Sequence, residues 1–508
     1  MSEPAVAMTL AAALWTTSHR ACFMAGAIFS GDRVVAKLGD SLLAQLVIVS
    51  NRVATPEKDA KLRAGGLEVA VNAAFKNRSG IWFGWSGKIT TRTKTATREA
   101  VHDNVTYITL DLSKEDHQEY YNGFANRVLW PILHYRIDLA EFSRRDLSGY
   151  LRVNDHFARE LHKVLGADDI VWVHDYHLIP LAKALRERGH QNRIGFFLHI
   201  PCPPPEMLTA LPHHERLIPS LCDYDLVGFQ TGDDAFNFSR YLTRECGLHS
   251  HDFNFMVGER TVRVDVFPVG IETADFARLA QRSQRMPFVQ NVLRSLAGRA
   301  LIIGVDRLDY SKGIAHRLSA FERFLQTQPE WRSKVTYLQI APKSRTEIPE
   351  YADMARDIGA TAGRINGAYG EADWTPIRYV NQAYSRATLA GLYRGARVGL
   401  VTPLRDGMNL VAKEYIAAQN PEDPCVLILS RFAGAAHECK EALLVNPYDP
   451  DSVAAAIGQA LAMPLTERRD RHKAMFEVLS RNDIQSWADR FLSILQRAPA
   501  APSALDQI

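Results

Sequence analysis

Residues 170–201 read IVWVHDYHLIPLAKALRERGHQNRIGFFLHIP. Two short apolar runs, Ile170–Val173 and Ile194–His199, flank a longer amphipathic stretch. A continuous rather than alternating apolar run is what a strand covered on both faces requires. Two such strands joined by a helix make a βαβ unit of a parallel sheet. Each run ends in polar residues: His174-Asp175-Tyr176-His177 after the first, His199-Ile200-Pro201 around the end of the second.

Working outward, the same pattern recurs at Leu46–Val49, Leu226–Phe229, Val262–Val266, Ala300–Val305, Val335–Ile340, Val398–Thr402, Val426–Leu429 and Ala442–Val445. Some ten strands are too many for one comfortable open sheet, so the expectation is an α/β chain of two doubly wound domains. The break is placed after Pro268-Val269-Gly270, where the sequence turns polar between Gln281 and Gln290. That gives a first domain over 44–270 and a second over 271–480. A final helix over 481–497 aligns Ile484, Trp487, Phe491, Ile494 and Leu495 on one stripe. Residues 498–508 read as a tail. Residues 1–43 carry an apolar run from Met8 to Trp15 with no basic segment before it, so a secretory signal is not expected. They read as a flexible arm or as a start codon assigned too early, Met24 being the alternative.

Composition narrows the function classes. Over 508 residues, 60 Lys and Arg against 57 Asp and Glu leave a net charge of +3, too balanced for a nucleic-acid protein held by a basic face. No apolar stretch reaches the ~18 residues of a membrane-spanning helix, so no membrane partner is expected. The six cysteines (Cys22, Cys202, Cys222, Cys246, Cys425, Cys439) are scattered without metal-ligand spacing, which suits free thiols in a cytoplasmic protein.

In doubly wound sheets ligands bind beyond the carboxyl ends of the strands. The first strand ends in Ser50-Asn51-Arg52, and an Arg there can fork onto a phosphate. Gly65-Gly66 can let the backbone approach a ligand or open the next helix. The His/Asp clusters at 174–177 and 199 suit sugar contacts or a catalytic hydrogen bond. Zinc held by His174, His177 and His199 is the weaker alternative, since no further ligand has metal-site spacing. Arg307-Leu308-Asp309-Tyr310-Ser311-Lys312-Gly313 follows Ala300–Val305 and sets two cations in one strand-to-helix loop, where both can reach a diphosphate. After Val398–Thr402, Arg405-Asp406-Gly407-Met408-Asn409-Leu410-Val411 turns into a helix whose first N–H groups favour an anion. Glu414 can hold a ribose diol and Asp406 sugar hydroxyls, so a nucleotide sugar satisfies both ends. Asp223-Tyr224-Asp225 has the form of a metal-binding D-x-D but stands at the start of a strand, the wrong end for a ligand, and reads as structural. No G-x-G-x-x-G, P-loop or G-x-S-x-G is present; Gly84-Trp85-Ser86-Gly87 only looks like the last.

Taken together, Val49–Arg52, Trp82–Gly87, His174–Leu178, Phe196–Pro201, Arg307–Gly313, Gly363-Arg364-Ile365-Asn366-Gly367 and Arg405–Tyr415 resemble the trehalose-6-phosphate synthase family, over Leu46 to Arg497. The resemblance implies a GT-B fold: two Rossmann-like domains facing a cleft, with the C-terminal helix crossing back to the first. It implies transfer of glucose from UDP-glucose to glucose 6-phosphate with retention at the anomeric carbon, no metal, no cofactor beyond the co-substrate UDP-glucose, and a homo-oligomer. By motif, Arg52, Tyr121, Trp130 and Arg345 are expected on the acceptor phosphate and Asp175 on the acceptor sugar. Gly65 and Gly66 belong to the loop over the donor. His199 is expected on the donor glucose, Arg307 and Lys312 on the diphosphate, and Asp406 on glucose hydroxyls. Gly407, Met408, Asn409, Leu410 and Val411 are expected to line the donor site, with Glu414 on the ribose and Tyr384 beside the base. Asp175, His199, Arg307 and Lys312 form the expected catalytic set. Cys202 departs from the aromatic usual after His-Ile-Pro, and the extension 1–43 is no part of the family's core.

A retaining glycosidase would need two carboxylates about 5–5.5 Å apart, and the sequence offers no second carboxylate suitably placed beside Asp175. Two rivals stay open on the residues. One is a sister synthase with another phosphorylated acceptor, such as glucosylglycerol-phosphate synthase; the other is a non-catalytic sugar-phosphate sensor, though the charged donor residues are all present. Nucleotide preference, oligomeric state and any allosteric control are not legible in the sequence.

Overall fold

The protein is described here from a computed structural model, covering residues 44–55, 66–76, 78–91, 96–343 and 349–498. The expected extension 1–43, Gly65, Arg345 and the tail from 499 onward lie outside the described residues.

Leu46–Arg52 forms β1, buried from Leu46 to Asn51. Its side chains alternate between two apolar layers. Val47 and Val49 pack with Val171, Val173, Ile194 and Phe196 on one face, while Leu46 and Ile48 pack with Trp172 and Phe197 on the other. That double cover is why the run is apolar at every position rather than every second one. Among the described residues, the first sheet also holds β2 (Gly80–Thr90), β3 (Arg98–His102), β4 (Val105–Ser113), β5 (Ile170–His174), β6 (Arg193–Phe197), β7 (Leu226–Phe229), β8 (Ser250–His251), β9 (Asn254–Val257) and β10 (Arg260–Val266). Its order is β3-β4-β2-β1-β5-β6-β7-β10-β9-β8. The second sheet holds β11 (Ala300–Val305), β12 (Val335–Ile340), β13 (Ile377–Val380), β14 (Val398–Val401), β15 (Val426–Ser430) and β16 (Leu443–Val445), in the order β13-β12-β11-β14-β15-β16 and all parallel. The α/β, doubly wound class read from the sequence is the observed one.

The first sheet departs from a purely parallel one at both ends, where β3 pairs antiparallel with β4 and β9 with β10 and β8. The sequence reading missed β2, β3, β4, β8, β9 and β13. β3 and β8 are exposed edge strands with no apolar run to betray them. β4 interleaves threonines with its apolar residues, and β2 mixes glycine and tryptophan with a polar end.

The chain leaves the first sheet after β10 and enters helices Thr273–Ser283 and Pro287–Arg294. It returns in the last helix, Ile484–Arg497, capped by Asp483 through the Ser486 N–H at 2.8 Å. The two crossings touch: the Ile484 N–H donates to Ile271 O at 3.2 Å. On the last helix Phe491 stacks on Trp172 (ring centroids 4.3 Å apart) and meets Phe267 at 4.9 Å. Gly195 and Gly228 make the room, since a Cβ on either would lie within 2.8 Å of the Phe491 ring. Phe491→Ala is therefore expected to cost about 3–5 kcal/mol, read as a lowered midpoint in urea unfolding. Asp225, from the D-x-D look-alike, is buried and takes Arg186 and Arg260, each at 2.9 Å, and the Ile194 N–H at 2.7 Å. It fastens β6 to β7.

Candidate active site

In the second domain the site is built on the ends of β11 and β14. Arg317, wholly buried, ties them: it donates to Asp306 at 2.8 Å, to Thr402 Oγ1 at 3.1 Å and to the Lys312 carbonyl at 3.2 Å. This fixes the loop Arg307–Gly313. Within it Asp309, fully buried, accepts from the Ser311 N–H and hydroxyl at 3.0 and 2.9 Å, and its other oxygen lies 3.4 Å from Arg307. Gly313 closes the turn at φ +64°, with the Thr402 carbonyl oxygen 2.7 Å from where a Cβ would sit. Lys312 donates to Asp406, a contact across 94 residues of chain. Asp406 also accepts from Asn409 Nδ2 at 3.0 Å. Asn409 stands at φ +70° and caps the helix Leu410–Ala418 through the Ala412 N–H. Met408 is buried; Leu410 and Val411, partly exposed, begin the helix, whose first turn favours an anion.

In the first domain the ends of β1, β2 and β5 lie in register, Ser50 opposite both Gly84 and His174. This brings Arg52, exposed, over the Trp85 ring at 6.0 Å. Tyr121 packs 5.8 Å from Trp85 and stacks on His177. Tyr121 comes from the π-helix His117–Leu129, which runs into a short α-helix starting at Trp130. Trp130 packs 5.7 Å from Tyr176, beside Asp175. Asp175 sits at φ +76°, a strained setting for a non-glycine residue that costs about 1–3 kcal/mol and marks sites where geometry is over-determined. Its N–H donates to Phe197 O at 2.9 Å, and its carboxylate accepts from the His199 N–H at 3.3 Å. His199 is driven down to about 3 by burial, so its ring is neutral in the working range. His174 and His199 face one another, while His177 is stacked against Tyr121. Among the described residues no group of three or more His, Cys, Asp or Glu is placed to hold a metal ion.

The two domains meet at His199. A Cβ on Gly407 would lie 2.1 Å from the His199 carbonyl oxygen, and one on Gly434 would lie 1.9 Å from the Gly407 oxygen. Three backbones are thus layered in contact where the two domains meet. Beside them, cation–π contacts cross from one domain to the other. Arg307 lies over Trp130 at 4.7 Å, Arg405 over Tyr135 at 4.0 Å, and Arg136 against Tyr310 at 5.5 Å. The sequence reading gave no role to Tyr135, Arg136, Tyr310 or Arg405, although Tyr310 and Arg405 stand inside the motifs quoted for the donor site. Aromatic residues between Trp130 and Tyr135 facing arginines after β11 and β14 were the available signal, but pairing them requires the tertiary fold.

Glu414, part-buried on the helix from Leu410, is pushed by burial up to about 7, with the Arg386 guanidinium at 3.8 Å pulling the other way. A raised acid pKa means the folded state holds the proton more tightly than the unfolded chain. Stability on this account falls as pH rises from about 4.5 to about 7. Glu414→Gln is therefore expected to raise the melting temperature at pH 8 and leave it unchanged at pH 4, by differential scanning fluorimetry. Tyr384 lies beside Phe288 at 5.3 Å. Gly66 is the first residue of the helix Gly66–Phe75; the expected partners Gly65 and Arg345 fall outside the described residues.

Comparison with known proteins matches residues 42–497 to glycosyltransferase family 20. The trehalose-6-phosphate synthase of Sinorhizobium fredii is 52% identical over 456 residues, 89% of this chain and 98% of the relative. Among solved structures, an alpha,alpha-trehalose-phosphate synthase (UDP-forming) from Burkholderia xenovorans in complex with glucose-6-phosphate superposes with a TM-score of 0.86 at 47% identity, covering 89% of this chain and all (100%) of that one. An E. coli protein bound with UDP-2-fluoro glucose superposes with a TM-score of 0.86 at 46% identity, covering 90% of this chain and 100% of that one.

Proposed function

The chain belongs to glycosyltransferase family 20, and from that premise we propose that it transfers glucose from UDP-glucose to glucose 6-phosphate, giving α,α-trehalose 6-phosphate and UDP. The observation that carries the reading is the convergence at the Gly407–His199 contact. The cation pair Arg307 and Lys312, with Asp406, meets the strand ends that present Asp175 and, through Trp130, the expected phosphate pocket.

The donor lies along the second domain. Its diphosphate is held by Arg307, Lys312 and the first N–H groups of the helix from Leu410, its ribose by Glu414, and its glucose by Asp406 and His199. The acceptor phosphate sits among Arg52, Tyr121 and Trp130, with Asp175 on the acceptor sugar. Charge that develops on the departing UDP is met by Arg307 and Lys312, preorganised by Asp309 and Arg317. The acceptor hydroxyl attacks from the face that UDP leaves, and a departing phosphate oxygen takes its proton, so configuration is retained and no further carboxylate is needed. Positive charge supplied by the two side chains lets the transfer run without a metal ion.

Among the described residues no helix is long and apolar enough to cross a membrane. Cys202, Cys222, Cys246, Cys425 and Cys439 are free thiols, which fits a cytoplasmic enzyme. Assembly into a homo-oligomer belongs to the same reading, and sedimentation velocity tests it. The function itself is tested by UDP release from UDP-glucose in EDTA, with glucose 6-phosphate, glucose or glycerol 3-phosphate as acceptor. Release only with glucose 6-phosphate is expected. A preference for glycerol 3-phosphate would identify a sister synthase instead, and binding without turnover a sensor.

A further inference from the structure

His174 ends β5, wholly buried, and its Nδ1 lies 3.0 Å from Nε2 of His199. Both rings are neutral: burial drives His199 to about 3 and His174 well below the usual imidazole range, with His199 adding to the push on His174. Two neutral imidazoles share one proton across such a contact, so one ring donates and the other accepts.

If His199 donates from Nε2, His174 must carry its own proton on Nε2. That nitrogen is buried and meets no hydrogen-bond partner among the described residues. Among the described residues, the rings packed on His174 besides His199 are Trp172 at 4.7 Å and Trp487 at 6.4 Å. Indoles only donate, and both already have a buried N–H without an acceptor among the described residues. A third stranded donor is the costlier arrangement, since orphaned buried N–H groups are rarer than orphaned acceptors. In the other arrangement His174 donates from Nδ1 and strands only a lone pair. His199 must then carry its proton on Nδ1. Because His174 occupies Nε2 and His199 is partly exposed where the two domains meet, Nδ1 is the nitrogen left for a ligand.

We propose that His174 is a positioning residue that locks His199 in the Nδ1–H tautomer, so that the ring presents a hydrogen-bond donor to a hydroxyl of the donor glucose. This rests on the reading of His199 as a donor-sugar contact. The lock sits on the far side of the ring from substrate and is backed by the last helix through Trp487, 6.2 Å from His199.

Long-range proton–nitrogen spectra of the full-length chain labelled with 15N-histidine, at pH 7, read the tautomer directly, with His199 assigned through His199→Gln. A protonated Nδ1 and bare Nε2 are expected; the reverse overturns the proposal whether or not the enzyme turns over. The second arm is kinetic. His174→Asn places an amide N–H where Nδ1 donates, and His174→Leu removes it. The kcat with UDP-glucose is expected to be about tenfold lower in the leucine variant than in the asparagine variant, the loss of one neutral hydrogen bond, with the same KM for glucose 6-phosphate in both. Equal rates in the two variants would overturn the lock. If neither folds, the wild-type spectrum still decides, and absence of turnover in wild type would instead count against the proposed reaction.

Discussion

Arg307→Ala is expected to lower kcat by about 100- to 1000-fold and to leave the melting temperature unchanged. The side chain is 42% exposed, so its removal opens no cavity, and its neighbour Asp309 remains held by Ser311. What is lost is a preorganised cation at the diphosphate, whose value is greatest when charge develops on the leaving group. The KM for UDP-glucose should rise less than kcat falls. Arg307 also rests on Trp130 of the first domain, so some loss should appear in the KM for glucose 6-phosphate. Steady-state kinetics with each substrate varied in turn checks this, and a variant within threefold of wild type would remove Arg307 from the chemistry.

Gly407→Ala tests the cleft rather than the charge. The added methyl would sit 2.1 Å from the His199 carbonyl oxygen and 2.9 Å from the Ile200 Cα, backbone atoms that cannot swing aside. One of the two domains must give way. Because a misplacement of about 1 Å can cost a reaction about 100-fold, kcat/KM is expected to fall by at least that factor for both substrates together. Such a joint loss separates this variant from Arg307→Ala, whose main effect is on kcat. Wild-type kinetics in Gly407→Ala would mean that the close contact is not part of the reacting state.

Most of the strands that were legible in the sequence are buried on both faces, β10 and β16 with their exposed alternate residues being the exceptions. In β1, Val47 and Val49 point one way and Leu46 and Ile48 the other, and a strand covered on both sides advertises itself by a continuous apolar run. β4, with threonines among its apolar residues, and the exposed edges β3 and β8 carry no such signal. The cation pair Arg307 and Lys312 could be read from one loop because both reside in a single strand-to-helix turn. The contact of Lys312 with Asp406 could not, being set by Arg317 holding the ends of β11 and β14 together. Nor could the approach of Gly407 to His199, which depends on the last helix and the crossings at Ile271 and Ile484 bringing one sheet against the other. The strained Asp175 shows the same division. Its residue type suggested a sugar contact, while its positive φ and its hold on the His199 N–H appear only in three dimensions.

The most direct measurement is the identity of the product. UDP-glucose and glucose 6-phosphate are incubated with the full-length protein in EDTA, and the sugar phosphate formed is examined by NMR. A single α,α-1,1-linked disaccharide 6-phosphate, formed in step with UDP and only when glucose 6-phosphate is present, is the result this account predicts. A β-configured product, or UDP release that ignores the acceptor, would contradict it.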